Sequence, residues 1–288
     1  MIKKQIVIVG NGPAGISAAL YAVRSGLHTT VIGKDAGALT RADKVENYYG
    51  FVEAIEGKTL VDNGIKQAER LGVQMVKDEV VGLDFEDKLV VKTTEGNFAA
   101  DAVILATGTQ RAAAKVDGVD RLEGRGVSYC ATCDAFFYRG KDVAVIGTGE
   151  YALHEALDLL PVVGSVTILT NGGQPEVEIP ETIKVVTEAI QSIDGTDTVS
   201  GVTFKNGEQL AVAGVFMAIG VAGSGALAKK LGANVQGTKI IVDAKMQTGI
   251  PGLYAAGDCT GGLLQIVKAA HEGAIAGMEA SKYIRSLS

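Results

Sequence analysis

Cysteine is scarce in this chain, with three in 288 residues, and so small and odd a number excludes a disulfide framework. Long apolar runs are missing as well. None reaches the roughly 18 residues that a membrane-spanning helix needs, so no membrane role is expected. Positive charge is in deficit, and the net charge of −6 argues against nucleic acid as a main partner. The opening Met1-Ile2-Lys3-Lys4 runs at once into a strand and then glycines, without the pattern of a signal or transit peptide. A cytoplasmic location is expected. Metal ligands are also short. Cys130 and Cys133 form a C-x-x-C pair, but only Cys259, His28, His154 and His271 remain to complete a zinc site, so no metal is expected.

Glycine, by contrast, is plentiful. The 38 glycines cluster at strand ends without a collagen-like period, which suits an α/β protein with many tight strand-to-helix turns. Gln5 to Val9 reads as a strand and runs into Gly10-Asn11-Gly12-Pro13-Ala14-Gly15. A periodic helix then extends through Arg24, and Thr29 to Ile32 forms the next strand. This is the G-x-G-x-x-G turn in its strand-turn-helix setting, where glycines admit a pyrophosphate to the N-terminus of a helix. The acid usually found at the end of the second strand is displaced, since Gly33 and Lys34 precede Asp35. Two further strands close on glycine turns at their carboxyl ends, one at Ala106-Thr107-Gly108 and one at Gly257-Asp258.

A second unit of the same kind begins at Asp142. Its strand meets Gly147-Thr148-Gly149-Glu150-Tyr151-Ala152, followed by a helix over 153–160 and a strand over 165–169. The predicted fold is therefore α/β with two Rossmann-like dinucleotide-binding domains, the second inserted into the first. Residues 1–112 and 239–288 are expected to form one domain, closed by a helix over 264–284, and residues 113–238 the other.

These motifs, with Val45-Glu46-Asn47 and Ser128-Tyr129-Cys130-Ala131-Thr132-Cys133-Asp134, resemble those of the low-molecular-weight thioredoxin reductases in order and approximate spacing over essentially the whole chain. The resemblance implies an FAD-dependent oxidoreductase, homodimeric, that reduces the disulfide of thioredoxin. It also implies site residues. Cys133 would lie against the flavin, Cys130 would attack the thioredoxin disulfide, and Asp134 would give or take the proton. FAD would be held by Gly10, Gly12, Pro13, Ala14, Gly15, Asn47, Ala106, Thr107, Gly108, Gly257, Asp258, Gln265 and Ile266. Cys259 reads as a small buried thiol.

Departures gather in the second unit. NADPH-dependent members carry a His-Arg-Arg cluster after its second strand, whereas this chain has Thr170-Asn171-Gly172-Gly173 and no Lys or Arg from 142 to 183. A 2′-phosphate would meet no fixed cation, so NADPH is not expected to bind. For NADH, the first acid after that strand is Glu176. Glu150 and Tyr151 replace small polar residues at the turn, and Leu264 stands where the family has an arginine. In these respects the chain resembles the branch of the family that takes electrons from ferredoxin, with the second glycine turn a relic. An NADPH-dependent reductase with an atypical pocket, a flavin dithiol oxidase using oxygen, and a non-catalytic redox sensor remain the competing readings.

Overall fold

A computed structural model describes residues 4–35, 37–108, 116–129, 131–220 and 222–287, without the side chains of Thr132 and Cys133. In chain order, β1 (Gln5–Val9), α1 (Pro13–Arg24) and β2 (His28–Ile32) form the first unit of the fold. α2 (Gly57–Arg70) and β3 (Gln74–Val76) follow. Next come three antiparallel strands, β4 (Val80–Phe85), β5 (Leu89–Thr93) and β6 (Asn97–Ala100), and then β7 (Ala102–Leu105).

The inserted stretch holds the short helix α3 (Val119–Leu122), β8 (Val127–Ser128) and the short helix α4 (Ala131–Asp134). Beyond these lie β9 (Asp142–Ile146), α5 (Glu150–Leu159), β10 (Ser165–Leu169) and β11 (Lys184–Val186). A second antiparallel trio, β12 (Ile190–Asp194), β13 (Gly201–Phe204) and β14 (Gln209–Ala211), precedes β15 (Gly214–Met217). The return contains α6 (Ser224–Lys230), β16 (Val235–Gln236), β17 (Lys239–Ile240), β18 (Leu253–Ala255) and α7 (Ile266–Ser286).

Two compact units result, Met1–Gln110 with Gly223–Ser288, and Arg111–Ala222. The return begins earlier than the expected 239. Residues 223–238 join the first unit because α6 packs on β4 and its Ser224 bonds Thr107. Each unit has a five-stranded parallel sheet, in the order β18-β7-β1-β2-β3 in one and β11-β10-β9-β15-β8 in the other. β1 and β9 are buried at all positions after the first, as strands covered on both faces are. The antiparallel trios were not visible as a pattern, because their short strands carry mixed burial.

The helices differ slightly from expectation. α5 begins at Glu150, where the residue after Gly149 already enters helix, and α7 starts at Ile266 and runs to Ser286. α7 packs along α1 through its small residues. A Cβ on Gly273 would sit 2.1 Å from the Ala14 carbonyl oxygen, and one on Gly277 would sit 2.4 Å from that of Ala18. No helix among the described residues is long and apolar enough to cross a membrane.

Candidate active site

In the first unit the glycine turn is built by close approach. Gly10 has φ +111°, and a Cβ there would lie 2.3 Å from the Ala106 carbonyl oxygen, while one on Gly15 would lie 1.8 Å from that of Gly10. Gly12 differs, since space beyond its Cα is open. It is the N-cap of α1, which has Pro13 at its start, no side-chain cap and no acid in its first turn. Such an end leaves backbone donors facing that space, which is the chemistry an anionic phosphate requires.

Gly257 is another of the expected binding residues that approaches this turn. A Cβ on Gly257, at φ +86°, would stand 2.8 Å from the Ala14 side chain. Asn47 Nδ2 donates to Gln265 Oε1 at 2.9 Å, joining residues 218 apart in sequence. Gln265 is the N-cap of α7 and Ile266 its first residue, so a second long helix offers an end without a side-chain cap. Ala106 is buried, Gly108 adopts φ +73°, and Thr107 Oγ1 lies 2.6 Å from Ser224 Oγ. Burial raises the Asp258 carboxyl from its ordinary value, with Glu272 adding to the effect and Lys268 opposing it. The open cradle at Gly12 and the two uncapped helix ends fit a flavin dinucleotide.

Sequence reasoning missed the support for this region. Glu272 Oε2 accepts from the Gly257 N–H at 2.8 Å and from the Thr260 hydroxyl at 2.9 Å. Lys268 donates to the carbonyls of Gly257 and Gly261 and pairs with Glu272 at 3.0 Å. Their i,i+4 spacing was the available signal. Lys34 and Asp35 are already engaged, Lys34 with the buried Glu79 at 2.5 Å and Asp35 with the Gly37 N–H at 2.8 Å. Cys259 is 3% exposed, and burial pushes its thiol up to about 11.

In the second unit Cys130 lies outside the described residues, as does the side chain of Cys133, whose backbone belongs to α4. Asp134 ends that helix, and its Oδ2 accepts from the Ser128 hydroxyl at 2.7 Å. Ala131 N–H donates to Glu155 Oε2 on α5 at 2.6 Å. Phe136 and Phe137 follow after Ala135 and are 72% and 69% exposed.

The second glycine turn keeps its backbone but not its surroundings. A Cβ on Gly147 would lie 2.2 Å from the Ala218 carbonyl oxygen, repeating the relation of Gly10 to Ala106. However, α5 has Glu150 in its first turn. Glu176 folds back over the turn as well. Its Oε1 accepts from the Thr148 hydroxyl at 2.8 Å, and its Oε2 lies 3.5 Å from where a Gly149 Cβ would be. Tyr151 faces inward and is 1% exposed.

Residues 4–274 match the model of the pyridine nucleotide-disulphide oxidoreductases. A thioredoxin reductase of Peptoclostridium litorale is 36% identical over 98% of this chain and 97% of its own. The chain belongs to the thioredoxin reductase family. Among solved structures, similar members include the atypical thioredoxin reductase TRi of Desulfovibrio vulgaris Hildenborough. It is 40% identical, with a TM-score of 0.93 and 98% of both chains covered. A ferredoxin-flavin thioredoxin reductase of Clostridium acetobutylicum is 31% identical, with a TM-score of 0.72 over 98% of this chain and 99% of its own. Membership in the thioredoxin reductase family agrees with the two parallel-sheet units, each opened by a glycine turn.

Proposed function

We propose that this protein is an FAD-dependent thioredoxin-disulfide reductase that draws its electrons from reduced ferredoxin and not from NADPH. The observation that carries the donor assignment is the second glycine turn. It has Glu150 in the first turn of its helix and the Glu176 carboxylate bonded to Thr148, and it stands in a stretch, 142 to 183, with no Lys or Arg. Carboxylates beside a pyrophosphate repel it, and a 2′-phosphate has no cation to pair with. Likeness to a ferredoxin-flavin thioredoxin reductase supports the same reading.

FAD would be held by the Gly10 to Gly15 turn, Asn47, the 106–108 turn, Gly257, Asp258, Gln265 and Ile266. When bound, it supplies the chemistry that joins a one-electron donor to a two-electron disulfide couple. The chain's own part is the dithiol. Reduction of the Cys130–Cys133 disulfide takes two electrons, from two reduced ferredoxins, and two protons. The Cys130 thiolate then attacks the thioredoxin disulfide and expels one thioredoxin thiolate. Cys133 resolves the mixed disulfide and releases the second, so thioredoxin leaves as a dithiol and the Cys130–Cys133 disulfide is restored. Asp134, held by Ser128, moves the proton at the leaving sulfur. The exposed Phe136 and Phe137 beside this segment suit a protein-sized partner. The active form is a cytoplasmic homodimer.

Glu176 favours a second reading. A carboxylate at the Thr148 turn is also what an NADH ribose would bond. An anaerobic titration of the flavin absorbance separates the two. Loss of the flavin absorbance on adding reduced ferredoxin, with no response to NADPH or NADH, is expected. Prompt reduction by NADH would select the second reading, and prompt reduction by NADPH would reject both.

A further inference from the structure

The helix after the second glycine turn carries a carboxyl group inside its buried stripe. α5 buries Tyr151, Ala152, Glu155, Ala156 and Leu159, and Glu155 is 1% exposed. A carboxylate so far from water is costly unless strongly bonded. Glu155 Oε2 accepts from the Ala131 N–H at 2.6 Å, at the start of α4. One turn earlier, the Tyr151 hydroxyl donates to the Tyr129 carbonyl over a longer 3.3 Å. Tyr129 and Ala131 are the chain neighbours of Cys130. Both residues adjoining that cysteine are thus tied to one side of α5, and α4 packs on α5.

We propose that Glu155 is a positioning residue for the Cys130/Cys133 dithiol, holding the first backbone N–H of the dithiol helix and placing a fixed negative charge beside it. This rests on reading the pair as the redox centre. A negative charge at this place disfavours thiolate, which keeps the thiols protonated until exchange begins. Other titratable groups among the described residues also lie near the segment. Asp134 lies within it, bonded to Ser128. Burial raises the phenols of Tyr129, Tyr138 and Tyr151, with further contributions from Glu123 and Asp120 at Tyr129, Asp134 at Tyr138 and Glu155 at Tyr151. On α5 itself, His154 pairs with Asp158 at 3.6 Å. The second glycine unit is then the platform of the dithiol, whatever has become of its nucleotide site.

The test is the pH profile of iodoacetamide alkylation of Cys130 and Cys133 in the reduced holoprotein, read by mass spectrometry. Glu155→Gln keeps an acceptor for Ala131 and removes the charge. Its midpoint is expected to fall by about one pH unit, which speeds alkylation at pH 7 by up to about tenfold. A Glu155→Gln protein that keeps its FAD and gives the wild-type profile would overturn the proposal. Glu155→Asp keeps the charge and loses reach. Its profile should stay at that of the wild type while hydrogen exchange at the Ala131 amide quickens about tenfold or more. Unchanged exchange would overturn the proposal even if Glu155→Gln does not fold. Neither readout needs thioredoxin or a donor. The disulfide-reductase reading fails by a different result, namely wild-type protein that leaves thioredoxin oxidised with every donor.

Discussion

Gly15 shows how little freedom single positions have. A methyl group there would meet the Gly10 carbonyl oxygen at 1.8 Å, so the turn must open to accept it. Gly15→Ala is expected to purify without FAD, and a flavin-to-protein ratio near that of wild type would contradict the packing argument. Cys130→Ser should lower thioredoxin reduction by about three orders of magnitude or more while FAD stays bound, because the serine hydroxyl is not ionised at neutral pH. Cys259 is legible as a buried thiol in sequence and is one in the structure. With its thiol pushed up to about 11, it should resist alkylation at pH 8 in the folded protein and react only after unfolding.

Asp101 links residue chemistry to acid stability. Burial pushes its carboxyl up, but the Lys88 ammonium at 2.7 Å and the Gln5 N–H at 2.8 Å outweigh this and leave it below its ordinary 3.8. The stability it contributes is therefore fully present above that value and disappears as pH falls through the lower folded value. Asp101→Asn should unfold at lower urea than wild type at pH 7, with the gap closing below about pH 4. A gap of equal size at about pH 3 would show that the ionised form is not what matters.

Among the elements, α1 and α7 depend most on small residues. The stacked pairs Ala14/Gly273 and Ala18/Gly277 bring two helices into near backbone contact, and both helices also end at the expected flavin site. Gly277→Leu should cost about 3 kcal/mol or more by overpacking and loosen FAD retention with it. A urea midpoint within error of wild type would show that the helices can part without loss. α5 taught the opposite lesson. Its helix was legible, but Glu155 among its buried residues was not, since pattern alone does not reveal which neighbour a buried carboxyl group meets.

For the whole molecule, two cores explain why two units fold around two sheets, one core on Ile6, Ile8, Ala18 and Ile104, the other on Ala144, Ile146, Val202 and Val215. Added FAD should stabilise the first unit alone. At a hundredfold excess over Kd it contributes about 2.7 kcal/mol, which moves the melting of a unit of this size by about 5–10 °C. Calorimetry of apo protein with and without FAD would read this as one transition rising while the other stays. Two transitions rising together would mean that the units unfold as one.

The sequence by itself determined the α/β class, the two glycine turns and the insertion, because each depends on local periodicity and on residues adjacent in the chain. It also exposed the missing cations, which composition alone reveals. Only the tertiary structure brought Asn47 to Gln265, Ser224 to Thr107, Glu176 over the second turn and Glu155 to the Ala131 N–H. Those contacts join elements far apart in the chain. Their partners are chosen by how the sheets and helices close on one another, and no local pattern carries that information.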